Sequence, residues 1–145
     1  MQTPFYASGF LYNLKTHRIL LLESKPDDDT PSAWSTAGGE SRTGEEAITA
    51  FQRIISKILN LDLKIKHIYP IYDYFHETLK KINYVFYAEV RNTKLSNPSK
   101  NCTPSWISFD DISKLSLNDR SKQDSIVGER VINANFRDDE LKKAS

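Results

Sequence analysis

The sequence predicts a mixed α/β (α+β) domain with a substantial antiparallel part. Short segments of high β-propensity occur on both sides of one segment with helical periodicity, and a second helix follows near the end. The 145 residues suit a single domain, 1–145, because that length buries one sizeable core. The pattern indicates strands, a helix, strands and a helix, in that order.

The first two strands are predicted from apolar runs at Phe5 to Tyr12 and Arg18 to Glu23. The stretch NLKTH between them has hairpin length, so we expect the strands to pair. The following stretch, SKPDDDTPSA, contains two prolines and three aspartates. Consecutive carboxylates repel one another and point in different directions, so this stretch is predicted to be a surface loop rather than a metal site.

A helix is predicted from Thr43 onward, with Ser41 or Thr43 as its cap and Glu45 and Glu46 at the positive end of its dipole. Apolar residues then recur at helical spacing, and they cover about half of the helix circumference. A surface helix needs a stripe of only about 100°.

The second half of the chain contains three further predicted strands and a second helix. HETLKK is the expected turn before the last of these strands, and in WISFDDISKL a short strand runs into a helix start that Asp110 caps. The predicted strands are Leu61 to Ile71, Tyr72 to Phe75 and Ile82 to Val90, and the predicted helix is Asp124 to Lys143.

Composition excludes several classes of protein. Lys and Arg number 20 and Asp and Glu 19, so the formal charge of +1 provides no global field for DNA, RNA or anionic lipid. The single cysteine, Cys102, forms no internal disulfide, which favours a reducing compartment. No signal peptide or membrane-length apolar run is present, so the sequence predicts a soluble cytoplasmic protein.

The stretch from Trp34 to Leu61 resembles the Nudix box, G-x5-E-x7-R-E-U-x-E-E-x-G-U. Five residues separate Gly39 from Glu45, and seven separate Glu45 from Arg53, while Leu61 fills the final aliphatic position. Trp34 precedes an Ala-Gly-Gly sequence where the family usually has Pro-Gly-Gly. The hairpin before the box and WISFDDISKL after it also resemble the family. The resemblance covers roughly residues 5–115, and it implies a Nudix-like mixed sheet sandwiched between helices.

The sequence departs from the box at the positions that bind metal ions in the family. In the family, the glutamates of R-E-U-x-E-E bind the divalent cations that polarise a diphosphate and activate water. Here those three positions hold Ile54, Lys57 and Ile58. Magnesium takes oxygen ligands, which isoleucine lacks, and Lys57 brings a positive charge where a cation would bind. The usual metal ligands are therefore absent from the sequence.

Three hypotheses follow. In the first, the domain is impaired in metal-dependent hydrolysis and binds a nucleotide-like molecule or a protein partner. In the second, it is an active diphosphohydrolase on nucleoside-diphosphate-linked compounds that uses Mg²⁺ or Mn²⁺ and non-standard ligands. In the third, it is a homodimer-forming structural domain that keeps the fold and binds no ligand. The candidate catalytic residues are Glu45 and Glu77, and the candidate substrate-binding residues are Gly38, Gly39, Arg53 and Trp34.

Three local alternatives stay open in the sequence. Gly38 and Gly39 either cradle a phosphate or only form the turn into the helix. Glu45 and Arg53 either form part of a functional site or form an ion pair that only stabilises the fold. Ile54 and Ile58 are buried by a neighbouring loop, line a pocket, or form an interface.

Overall fold

The structure is a computed structural model that describes residues 3–24, 33–91 and 102–144. Asp27, Asp28 and Asp29 lie outside the described residues, as does most of the second predicted loop, RNTKLSNPSKNCTPS. Among the described residues, no helix is both long enough and apolar enough to cross a membrane.

The described elements are strands and helices in the predicted general order. Two α-helices flank a sheet, and short 3-10 helices occur at Ile65–His67 and Phe109–Lys114. The strands and α-helices are β1 Tyr6–Asn13, β2 Arg18–Ser24, β3 Trp34–Ser35, β4 Ala37–Glu40, α1 Ala47–Leu59, β5 Ile68–His76, β6 Lys81–Val90, β7 Cys102–Ser108 and α2 Asp119–Ala144.

The sheet is mixed, and β1 lies at its centre. The main path runs β3-β2-β1-β6-β5, with β4 paired to β1 and β7 paired to β2. The β1–β6 pair is parallel, and the other strand pairs are antiparallel. The N-terminal half of β1 pairs with β4, whereas its C-terminal end meets β2 at Tyr12 and Ile19. This arrangement brings the box segment against the start of β1.

Each face of the sheet carries its own hydrophobic core. Alternate side chains of a strand point to opposite faces, so Leu11 and Phe10 belong to different cores. The first core lies beneath α1 and includes Phe51 and Ile55, and the second lies beneath α2 and includes Ile132. The predicted sheet between helices is thus confirmed.

The start of α1 differs from the prediction. Its N-cap is Glu46, which makes no side-chain cap hydrogen bond, and neither Ser41 nor Thr43 caps the helix. The Ser41 hydroxyl instead accepts a 2.9 Å hydrogen bond from the Phe5 amide. A serine side chain caps only when it reaches the first helical N–H groups, and Ser41 is used to hold the start of β1.

The predicted strand from Leu61 to Ile71 is wrong in its first half. Asn60 adopts a left-handed conformation (φ 51°) and ends α1, and a 3-10 turn follows before β5 begins at Ile68. The separate strand predicted from Tyr72 to Phe75 is the continuation of β5. The register shifts between Pro70 and Tyr72, where proline lacks the N–H that a regular ladder requires.

The last helix begins five residues earlier than predicted. Asn118 precedes it, and its side chain accepts a 2.8 Å hydrogen bond from the Ser121 amide. Asp110 is not a cap either, because it lies inside the 3-10 helix that begins at Phe109 after Ser108.

Candidate functional site

The box retains one strong ion pair, between Glu45 and Arg53. Arg53 Nε lies 2.7 Å from Glu45 Oε2, and Arg53 Nη2 lies 2.9 Å from Oε1. Arg53 also donates to the Glu40 carbonyl at 2.8 Å, and the Arg42 amide donates to Glu45 at 2.8 Å. The hydrogen bonds from Arg53 lower the pKa of Glu45 to about 2. The pair therefore ties the end of β4 and the following loop to α1.

The three positions that correspond to the family's metal ligands do not form a cation site. Ile54 is 5% exposed and belongs to the first core, and Ile58 is half-buried against the same core. Lys57 is exposed. Within the described ranges, no group of three or more His, Cys, Asp or Glu side chains is placed to hold a metal ion. Mg²⁺ and Mn²⁺ need clustered oxygen ligands, so the described residues here do not fit either ion.

Gly38 and Gly39 lie inside β4 rather than in a turn. They pair with Ser8 and Ala7 of β1, so neither glycine stands at the start of α1, where a phosphate cradle would need it. A Cβ atom on Gly38 would come within 2.7 Å of the Tyr6 ring, and one on Gly39 would come within 3.1 Å of the Ile54 side chain. Close packing explains both glycines.

A polar cleft lies on the face of the sheet opposite α1. It has a volume of about 270 Å³, and the start of β1, the β3–β4 segment, the β5–β6 hairpin and the start of α2 enclose it. Its main polar and aromatic lining residues are Tyr6, Ser8, Thr36, Tyr74, His76, Asn83, Asn118, Arg120, Ser121 and Asp124.

Asp124 is the buried carboxyl group of this cleft. It is 2% exposed, and its carboxylate accepts hydrogen bonds from the Tyr72 hydroxyl at 2.7 Å and the Tyr74 hydroxyl at 3.3 Å. Burial raises the pKa of Asp124, and the two tyrosine hydrogen bonds and nearby Arg120 act against that rise. Burial and the Asp124 charge raise the pKa of Tyr74 to about 12. Both tyrosine hydroxyls therefore stay protonated and donate hydrogen bonds to Asp124.

The network continues across the sheet to β1. Asn83 donates to the Tyr74 hydroxyl at 3.0 Å, and the Ser8 hydroxyl donates to Asn83 at 2.9 Å. Arg120 lies over the Tyr74 ring at 5.0 Å from its centroid. The cleft therefore combines a cation, an aromatic side chain, a carboxyl group and neutral polar groups.

The predicted site residues do not all meet at this cleft. Gly38 lines it, whereas Arg53 is held by Glu45. Trp34 lies in β3, and its indole packs against the second core. Glu77 is exposed in the turn after β5, next to the cleft residue His76.

Sequence reasoning missed most of the cleft. The sequence contains one signal for the cleft, which is the presence of polar residues inside apolar strands. Examples are Ser8 in YASGFLYN and Asn83 in KINYVFYAEV. A polar side chain buried in a strand requires a partner, but the sequence does not say which one. For Asp124 the sequence predicted only that it begins the last helix.

Comparison with solved structures identifies the fold. The E. coli ORF135 protein matches with a TM-score of 0.68 and 15% identity, over 92% of this chain and 94% of that chain. The NUDIX domain of Shewanella oneidensis NrtR, in complex with ADP ribose, matches with a TM-score of 0.66 and 11% identity, over 91% and 90%. A NUDIX hydrolase from Nitrosomonas europaea matches with a TM-score of 0.64 and 14% identity, over 89% and 90%.

These similarities show that the chain has the Nudix fold, as the box predicted. No protein-family model and no curated protein sequence matches the chain. At 11–15% identity the structural similarity defines the fold alone, so activity and ligand must be argued from the site.

Proposed function

We propose that this Nudix-fold domain binds a nucleotide-like small molecule in the polar cleft and does not hydrolyse it by metal-dependent catalysis. The observation that carries the proposal is the contrast between two faces of the molecule. The cleft retains buried polar groups and a cation, whereas the box face is packed with Ile54 and Ile58.

The arrangement of groups in the cleft supports a nucleotide-like ligand. Arg120 is the cation available to a phosphate, and it stands in the first turn of α2, where the helix dipole also favours an anion. Asp124 and Asn83 offer hydrogen-bonding groups to a base or a sugar, and the aromatic side chains Tyr6 and Tyr74 line the same cleft. A volume of about 270 Å³ with an open mouth suits part of a nucleotide, while the rest lies outside.

The chemistry of the box supports binding without hydrolysis. Metal-dependent hydrolysis needs a Lewis acid that also lowers the pKa of a bound water molecule. The ordinary ligand positions offer two isoleucines and a lysine, and Glu45 is already committed to Arg53 and the Arg42 amide.

The structural neighbour from Shewanella oneidensis supports the choice of first ligand. Its NUDIX domain is in complex with ADP ribose, and it matches this chain over 91% of its length. ADP-ribose combines a base, two sugars and a diphosphate, so it tests each part of the cleft at once.

The experiment is a binding and turnover panel of nucleoside triphosphates, ADP-ribose, dinucleoside polyphosphates and nucleotide sugars. Calorimetry measures binding, and phosphorus NMR follows the same samples with Mg²⁺ or Mn²⁺ present. The proposal predicts saturable binding of at least one compound and no metal-dependent product. Absence of binding across the panel contradicts the binding claim, and metal-dependent product contradicts the claim about catalysis.

The second candidate function is an active diphosphohydrolase with non-standard ligands. The feature that favours it is the box spacing, which Glu45 and Arg53 keep. In that case Glu45→Gln abolishes turnover in the panel. Turnover by Glu77→Gln then tests whether Glu77 is the predicted second catalytic acid. Light scattering measures whether the chain forms a homodimer that completes the site.

A further inference from the structure

A second concave surface lies on the α1 face of the sheet, away from the polar cleft. It is a groove of about 430 Å³ between the N-terminal segment, the start of α1 and β6. Ile82 and Tyr84 line it, whereas the intervening Asn83 points to the opposite face and lines the cleft. The groove and the cleft are therefore separate sites.

The groove floor is apolar and only partly covered. Phe5 packs against Tyr84 with its ring centroid 5.4 Å away. Ile82 is 37% exposed, and its cross-strand partner Phe75 is 52% exposed. Large apolar side chains that are exposed side by side mark an interaction surface more often than single ones do.

The groove has an acidic rim. Glu46 lines it at the start of α1, and Asp73 is the cross-strand partner of Tyr84. Both are exposed, and neither forms an ion pair among the described residues. Two basic side chains belong to this region. Lys81 forms a salt bridge with Glu40, with 2.6 Å between Nζ and the carboxylate oxygen. Arg42 lines a separate cavity, to which Thr3 and Pro4 also contribute.

From this combination we infer that the groove docks a short segment of another protein that presents an apolar or aromatic side chain next to a lysine or arginine. The apolar side chain inserts between Phe5, Ile82 and Tyr84, and the cation meets Glu46 or Asp73. Peptide segments are commonly recognised through such a pocketed anchor and a charged neighbour.

A second copy of this chain fits the groove less well. A two-fold interface places the same patch on both subunits. The carboxylates Glu46 and Asp73 of both subunits would then lie in one interface, where like charges repel one another.

The test is selection of a phage-displayed library of random twelve-residue peptides on the folded, full-length chain. Enriched sequences are expected to combine an aromatic or aliphatic residue with a neighbouring lysine or arginine. A selected synthetic peptide should bind Ile82→Glu at least about tenfold more weakly than the unaltered chain. Asp73→Lys should also weaken binding, and added salt should weaken it further.

Matched variants control for exposure and charge elsewhere. Ile126 is 42% exposed on α2, so Ile126→Glu should leave peptide affinity unchanged, as should Glu140→Lys. Circular dichroism checks that each variant folds. If Ile82→Glu does not fold, the milder Phe75→Ala change at an exposed position replaces it.

Three results of the peptide experiment overturn the inference. They are the absence of enriched peptides, enrichment of peptides without basic residues, and equal affinity for Ile82→Glu and the unaltered chain. Dimerisation that Ile82→Glu abolishes, measured by light scattering, also overturns it, because a second copy then covers the groove.

Discussion

The side chain of Ile54 lies against the backbone of Gly39, so closely that a Cβ atom on Gly39 would come within 3.1 Å of two Ile54 carbons. In the Nudix box these positions belong to a metal-binding glutamate and the first glycine. Here they form a contact between α1 and β4, and Ile54 belongs to the first core. A side chain at position 39 would crowd Ile54, and glycine occupies that position.

Replacing Ile54 by glutamate should destabilise the protein rather than create a metal site. The carboxylate would replace a side chain that is 5% exposed in an apolar core, at a cost of about 2–5 kcal/mol. Urea denaturation measures the change. Lys57→Glu on the same helix is the control, and it should change stability by about 0.5 kcal/mol at most because Lys57 is exposed. A stable Ile54→Glu protein that binds Mn²⁺ would contradict this account.

The pair of Glu45 and Arg53 should stabilise the fold only above acidic pH. The folded-state pKa of Glu45 lies below its ordinary value of 4.5, at about 2. Its contribution is therefore present above about pH 4.5 and is lost as the pH falls toward 2. Glu45→Gln should lower the free energy of unfolding by about 1–2 kcal/mol near neutrality. The difference from the unaltered protein should vanish in acid, and a constant difference would refute the assignment.

Asp124 should have the opposite pH dependence. Its folded-state pKa is raised above the ordinary value of 3.8, mainly by burial. Its contribution to stability is fully present below that pH and is lost as the pH rises through the folded pKa. The stability of Asp124→Asn should lack this component, so the unaltered protein should lose stability relative to the variant as the pH rises from about 3.8. Parallel pH profiles of the two proteins would show that Asp124 is not a buried titrating group.

Arg120 should govern ligand affinity. Removing it by Arg120→Ala takes away the cation of the cleft, and the loss of a charged hydrogen bond corresponds to binding about 10–100-fold weaker. Calorimetry with a ligand from the panel measures the effect. Arg130→Ala is the matched control, since Arg130 is exposed on the same helix and does not line the cleft. Equal losses in both variants would indicate a nonspecific charge effect.

The local elements were predictable because their signals are local. The hairpin of β1 and β2, the helix α1 and the strand β6 follow from apolar periodicity within a few residues. The first turn of α2 was not predictable, because its residues Asp119 to Gln123 are polar and carry no helical apolar pattern.

The cleft was not predictable for a different reason. Ser8 and Asn83 lie 75 positions apart, and the parallel pairing of β1 with β6 brings them together. Such pairing is set by how the whole sheet packs between two helices, which no single stretch of sequence specifies. By contrast, the sequence alone shows that Ile54, Lys57 and Ile58 stand where the box has glutamates, because the box fixes the spacing of these positions.

The most direct test of the central claim is a titration of the protein with ADP-ribose, observed by phosphorus NMR with Mg²⁺ present. The two diphosphate resonances are expected to shift or broaden in a saturable way, and no new phosphate resonance is expected to grow with time. New resonances that require the metal would show that the chain is a working hydrolase. Unchanged resonances at all protein concentrations would show that the cleft does not bind ADP-ribose.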